Sequence, residues 1–190
     1  MKRCDECIQA LESQPIIAAI RDEEGLNRAV ESPVAVVFLL DGSLSNLRER
    51  VSRVAASGKL IFIHLEMIAG LSKDLAALEY VAETVRPDGI ISTKPGLIQP
   101  ARNLGLLTIQ RLFILDSQSL QTGIKMIQGN HPDLVEVMPG VIPKAVTALK
   151  AHCPTPVIAG GMVERKEEII ELLKAGVTGV STSRSELWEV

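Results

Sequence analysis

Two patterns alternate along the chain. Short runs of consecutive apolar residues recur at Ile16–Ile20, Ala35–Leu40, Leu60–Leu65, Gly89–Ser92, Leu106–Gln110, Leu134–Val137, Pro156–Ala159 and Gly179–Ser181. Side chains apolar on both faces mark buried parallel strands rather than half-exposed antiparallel ones. Helical periodicity fills the gaps. Leu44–Ala56 sets Leu47, Val51, Val54 and Ala55 on one face, with Arg48, Glu49 and Arg53 largely opposite. Leu75–Val85 repeats the pattern with Leu75, Leu78, Val81, Ala82 and Val85. Glu164–Lys174 does so with Ile169, Ile170, Leu172 and Leu173, and Gly176 reads as its C-cap.

Strands that alternate with helices imply right-handed crossovers and a parallel sheet. Eight such units predict an α/β fold, a compact TIM-like (β/α)8 barrel. The expectation is one barrel domain over 1–190, with segment 1–14 preceding the first strand and a short final helix. At 190 residues the chain is shorter than the roughly 250 typical of the fold, so its loops must be short. An open doubly wound sheet fits less well, because no GxGxxG follows the first strand.

Composition narrows the picture. With 46% hydrophobic and 3% aromatic residues, the core must be aliphatic. A net charge of -3 argues against a grip on nucleic acid through bulk positive charge, while leaving a local basic patch or a dimer open. Arg48, Arg50 and Arg53 share one helix, but with Glu49 among them they read as a solvated face. No apolar run is long enough to span a membrane, and the first residues lack a signal peptide's apolar stretch, so the expected location is cytoplasmic. Cys4 and Cys7 form a CxxC with no second pair, which reads as a helical or frayed N-terminus with reduced thiols. Cys153, ahead of Pro154, reads as structural.

Barrel chemistry sits at the C-terminal strand ends. The seventh strand ends in Gly160-Gly161 and the eighth in Ser181-Thr182-Ser183. Glycines that let backbone N–H groups approach an anion, hydroxyls that donate to it and a helix N-terminus make a phosphate grip. Ser183-Arg184-Ser185-Glu186 also matches a capping box, which leaves Thr182 for a ligand. Earlier strands end in Arg21 and Asp22, Asp41, His64 and Glu66, Thr93 and Lys94, Gln110 and Arg111, and Glu136. Glu66 and Glu136 are expected to face Lys94 and Arg111, as a ligand site or as a structural ion-pair network. His64, between Ile63 and Leu65, reads as an outer-face residue.

Several strings are more specific than barrel physics requires. Ile109-Gln110-Arg111-Leu112-Phe113 occurs with Asp88-Gly89-Ile90-Ile91-Ser92-Thr93-Lys94, Glu136-Val137-Met138-Pro139-Gly140, Ala159-Gly160-Gly161 and Leu187-Trp188. Together with Pro15–Arg21, they resemble the glycerol uptake operon antiterminator family from about Gln14 to Trp188. The resemblance implies a TIM-like barrel that senses glycerol 3-phosphate, binds the leader mRNA of glycerol-utilisation genes and prevents premature termination. Its partners would be that ligand, the mRNA and, as an open alternative, a second copy of the chain. It implies no membrane, no metal, no catalytic residue and no cofactor beyond the effector. The phosphate would lie on Gly160, Gly161, Ser181, Thr182 and Ser183, with Lys94, Arg111, Glu136 and Glu66 as candidates for the glycerol hydroxyls. The competing reading is an isomerase or aldolase acting on a small phosphorylated substrate, with Lys94 as its Schiff-base lysine.

Overall fold

A computed structural model of the chain describes residues 2–189, except for the side chains of Lys2 and Arg3. Eight parallel strands close into a barrel. They are β1 (Ile16–Ile20), β2 (Val36–Leu39), β3 (Leu60–His64), β4 (Gly89–Ser92), β5 (Leu107–Phe113), β6 (Leu134–Met138), β7 (Val157–Gly160) and β8 (Gly179–Thr182). Each pairs with its sequence neighbours, and β8 closes on β1 through Ile17 opposite Ser181. A two-residue ladder, Gly42–Ser43 on Ile68–Ala69, ties together the loops after β2 and β3.

The eight apolar runs are the eight strands. β5 alone extends well past its run, to Phe113, and sets Arg111 opposite Glu136. Gln110 and Arg111 interrupt the apolar pattern without ending the strand, because both are buried and hydrogen-bonded.

Helices α1 (Lys2–Ser13), α2 (Glu23–Glu31), α3 (Leu47–Ala56), α4 (Leu75–Tyr80), α5 (Pro95–Asn103), α6 (Ser117–Asn130), α7 (Pro143–Lys150) and α8 (Lys166–Lys174) complete the fold. Local chemistry starts several of them. Asp22 and Asp74 cap α2 and α4 by accepting from Gly25 N and Ala77 N, and proline opens α5 and α7. A single 3-10 turn, Ser185–Leu187, stands in place of a final helix. Trp188 locks that turn down: its indole N–H donates to the Thr182 carbonyl at 2.9 Å.

The core has two shells. Ile17, Phe38, Phe62, Ile91, Ile109 and Ile158 fill the barrel, while Ile16, Val37, Ile63, Ile90 and Val137 pack outward against the helices. α1 plugs the barrel's lower end with Cys7 and Leu11. A Cβ on Gly179 would come within 3.2 Å of Leu11, so glycine there makes room for the plug. The cysteines are free thiols, and burial pushes the Cys7 pKa up to about 12. Cys153 is buried, as expected. Among the described residues no helix is long and apolar enough to cross a membrane.

Arg48 is exposed on α3, as a solvated face requires, but Arg50 and Arg53 depart from that expectation. Arg50 is 3% exposed, donates to the Asp41 carbonyl and sits 3.5 Å from its carboxylate. Arg53 pairs with Glu23 and Glu49. Neither offers a free cation.

Candidate ligand-binding site

Three inward-facing side chains meet at the C-terminal mouth. Arg111 Nε donates to Glu136 Oε2 at 2.7 Å, and Ser181 Oγ donates to Glu136 Oε1 at 2.7 Å. Glu136 is 1% exposed and Arg111 6%. Such a buried pair is tolerable because the geometry is close and a second donor answers the other carboxylate oxygen. Gly160 is what lets the three converge, since a Cβ there would collide with Ser181 Oγ and stand 2.6 Å from Glu136 Oε1. Gly140 serves Gly160 in turn: its own Cβ would lie 2.8 Å from the Gly160 nitrogen.

This cluster floors a cavity of about 110 Å3. Ala19, Leu40 and Met138 wall it, and Arg21, Gly161, Met162, Ser183 and Arg184 form its rim. Arg184 reaches Glu164 at 3.0 Å, whereas the exposed Arg21 makes no ion pair among the described residues. The rim turns sharply at Gly161 and Met162, whose φ values are 78° and 62°. Met162 is a non-glycine residue in the left-handed region and 73% exposed, so packing does not impose that conformation. Around the cavity the strand-to-helix loops expose Leu44, Met67, Phe113, Leu115 and Ile142.

Arg111, Glu136, Ser181, Thr182, Ser183 and Gly161 all line this cavity. The geometry nonetheless changes what several candidates do. Gly160 makes room for the carboxylate and does not line the cavity. The Thr182 hydroxyl is already committed, donating to the Val163 carbonyl at 2.9 Å and accepting from Arg184 N at 3.1 Å. Ser183 caps nothing, because the terminal turn starts two residues later with Arg184 at its N-cap. Its exposed side chain stands on the rim. Glu66 does not face Lys94: it accepts from Ser92 Oγ at 2.5 Å and Thr93 N at 3.2 Å, tying the β3 loop to β4. Lys94 is exposed, lies outside the cavity and makes no ion pair among the described residues.

His64 points into the barrel, not outward, and is 4% exposed. Burial first, and then the Arg111 charge, hold its pKa down to about 4, so at neutral pH it is uncharged. Its Nδ1 lies 3.3 Å from Glu66 without forming a hydrogen bond. Arg21 and Arg184 are the cavity residues that sequence reasoning undervalued. Arg21's place at the end of β1 was the available signal.

The chain is thus a (β/α)8-barrel protein with a small polar cavity at its C-terminal mouth, floored by a buried carboxylate and rimmed by arginine, hydroxyl and Glu164 carboxylate groups. The chain belongs to the glycerol-3-phosphate responsive antiterminator family, whose model matches residues 16–188. It is similar to the glycerol uptake operon antiterminator regulatory protein of Listeria monocytogenes (33% identity, TM-score 0.89, covering 92% of this chain and 95% of that one). It is similar also to a glycerol uptake operon antiterminator-related protein of Thermotoga maritima (34% identity, TM-score 0.82, 92% and 98% covered). An uncharacterized protein of Escherichia coli K12, YgcP, is 32% identical over 181 residues, 95% of either chain.

Proposed function

We propose that the chain is a glycerol 3-phosphate sensor that binds the leader mRNA of glycerol-utilisation genes and prevents premature termination in the cytoplasm. The observation that carries this reading is the cavity. It joins a polar floor of Glu136, Arg111 and Ser181 to a rim carrying Arg21, Ser183 and Arg184, in a chain whose family is named for its response to that ligand. The phosphate takes the rim at the ends of β7 and β8, and the glycerol hydroxyls take the floor. Ligand across the mouth orders the loops that carry Gly161, Met162 and Arg184, and thereby favours an RNA-competent form or a dimer. The ligand achieves this only by binding that form more tightly.

Titration calorimetry with glycerol 3-phosphate, glycerol and inorganic phosphate tests the sensor. Tight binding is expected of the first alone, and equal binding of inorganic phosphate refutes the two-part site. Gel-shift titration of the leader transcript tests the switch, which equal RNA affinity with and without ligand would sink.

The aldolase form of the enzyme reading loses its nucleophile. Schiff-base chemistry needs a lysine at the substrate carbonyl, no lysine lines the cavity among the described residues, and Lys94 stands outside it. Borohydride in the presence of sugar phosphates is expected to leave the chain unmodified.

A further inference from the structure

We infer that Glu136 acts as a filter on the non-phosphate end of the ligand, admitting phosphorylated alcohols and refusing phosphorylated acids. The inference rests on the effector-site reading above.

Both Glu136 oxygens accept hydrogen bonds, one from Arg111 Nε and one from Ser181 Oγ. Paired with the Arg111 guanidinium, Glu136 accepts on both oxygens and donates from neither. Each oxygen keeps one further acceptor site. Ser181 has spent its proton on Glu136, so towards a ligand it only accepts. Arg111 has spent Nε, and its two Nη groups make no hydrogen bond among the described residues while the side chain lines the cavity. A ligand oxygen at the floor thus meets acceptors on Glu136 and Ser181 and donors on Arg111.

A hydroxyl satisfies both kinds, donating to the carboxylate and accepting from the guanidinium. A ketone oxygen can only accept, so it displaces water from Glu136 and leaves the carboxylate short of a donor. A carboxylate brings like charge against Glu136 in a site shielded from water. Glu136 cannot swing aside to relieve the repulsion. Two hydrogen bonds hold it, and it fills the space that a side chain on Gly160 would take. The floor therefore ranks three-carbon phosphates by the oxidation state of the two carbons beyond the phosphate ester: two alcohols, then an alcohol and a ketone, then an alcohol and an acid.

The test is equilibrium titration of the wild-type chain with glycerol 3-phosphate, dihydroxyacetone phosphate and glycerate 3-phosphate. The ketone is expected to bind about tenfold more weakly than the alcohol, and the acid about a hundredfold more weakly. Glu136→Gln keeps the volume and removes the charge, so it should weaken the alcohol, strengthen the acid and close most of that gap. That variant leaves Arg111 without its buried partner and is open to unfolding. Ser181→Ala retains the charge and should preserve the alcohol-to-acid gap. Binding of the acid within about threefold of the alcohol by the wild-type chain would overturn the filter alone. An unchanged gap in folded Glu136→Gln would also overturn it. Failure of all three compounds to bind would overturn the effector-site reading and the filter with it.

Discussion

The two ends of this barrel are built from the same strands and obey opposite rules. At the lower end Phe38 and Phe62 meet edge to face, with centroids 5.8 Å apart, and Cys7 and Leu11 of α1 seal the opening. A step up the same strands, the inward positions become His64, Arg111, Glu136 and Ser181. The lower end buries carbon against carbon, and the inward-facing residues described there leave no buried side-chain polar atom unsatisfied. The mouth buries charge, spends two residues on satisfying one carboxylate, and leaves rim loops exposing Phe113, Leu115 and Met162. Burial alone therefore does not tell stability from function here, because Glu136 is as buried as Ile17. The difference lies in what each group would lose if its partner were taken away.

The largest effect is expected at the lower end. Phe38→Ala removes a fully buried ring from the barrel's centre and should cost about 3–5 kcal/mol of unfolding free energy by denaturant titration. Affinity for glycerol 3-phosphate per folded molecule should be unchanged. A matching loss of affinity would mean that the two ends are coupled and that the contrast between them is false.

His64 belongs to the mouth by position and to the core by behaviour. Its pKa falls from 6.5 to about 4 on folding, so between those values the unfolded chain binds more protons than the folded one. Stability is therefore fully present above pH 6.5 and declines as pH falls towards 4. The full loss is about 3 kcal/mol. His64→Leu removes the titrating group beside Arg111 and Glu66 and should flatten that acid limb. An acid limb as steep in the variant as in the wild type would assign it to other groups.

How much of this contrast was legible follows from the kind of signal each end leaves. Parallel strands buried on both faces write themselves as apolar runs, so the eight-strand barrel was readable from Ile16 to Ser181. The same property hid His64. When Phe62 and Ile63 are both apolar, nothing in the strand says which side is inward, and the histidine was assigned to the wrong face. Glu136 and Arg111 were readable because each interrupts such a run and can be matched with the other. Gly160 could not be understood alone, because its role depends on a carboxylate and a hydroxyl from two other strands. Thr182 looked free for the same reason, since its partner Val163 comes from the preceding loop. Arg21 and Arg184 lie on the rim, where no periodicity marks a side chain.

Thr182 sharpens the division within the mouth itself. Thr182→Val keeps the shape and removes an oxygen that serves the Val163 carbonyl and the Arg184 amide. The expected loss is about 1–2 kcal/mol of stability, measured by thermal or denaturant unfolding. Ligand affinity should fall only as far as the Arg184 loop loosens. A large loss of affinity with full stability would return Thr182 to the ligand.

Ser183 is the opposite case and the smallest expected effect. Its side chain is exposed on the cavity rim. Ser183→Ala should leave stability within about 0.5 kcal/mol of wild type, as an exposed position with no cap to lose. The phosphate would forfeit one neutral donor at a site that keeps Arg21 and Arg184. Affinity should then fall by about 1 kcal/mol, a several-fold increase in Kd read by calorimetry. Neighbours on one strand end, Thr182 and Ser183 would thus separate cleanly, one costing stability and the other affinity. Should Ser183→Ala destabilise the fold as Thr182→Val does, the hydroxyl cluster would be one structural unit. The phosphate would then have to be held by Arg21, Arg184 and backbone N–H groups of the rim.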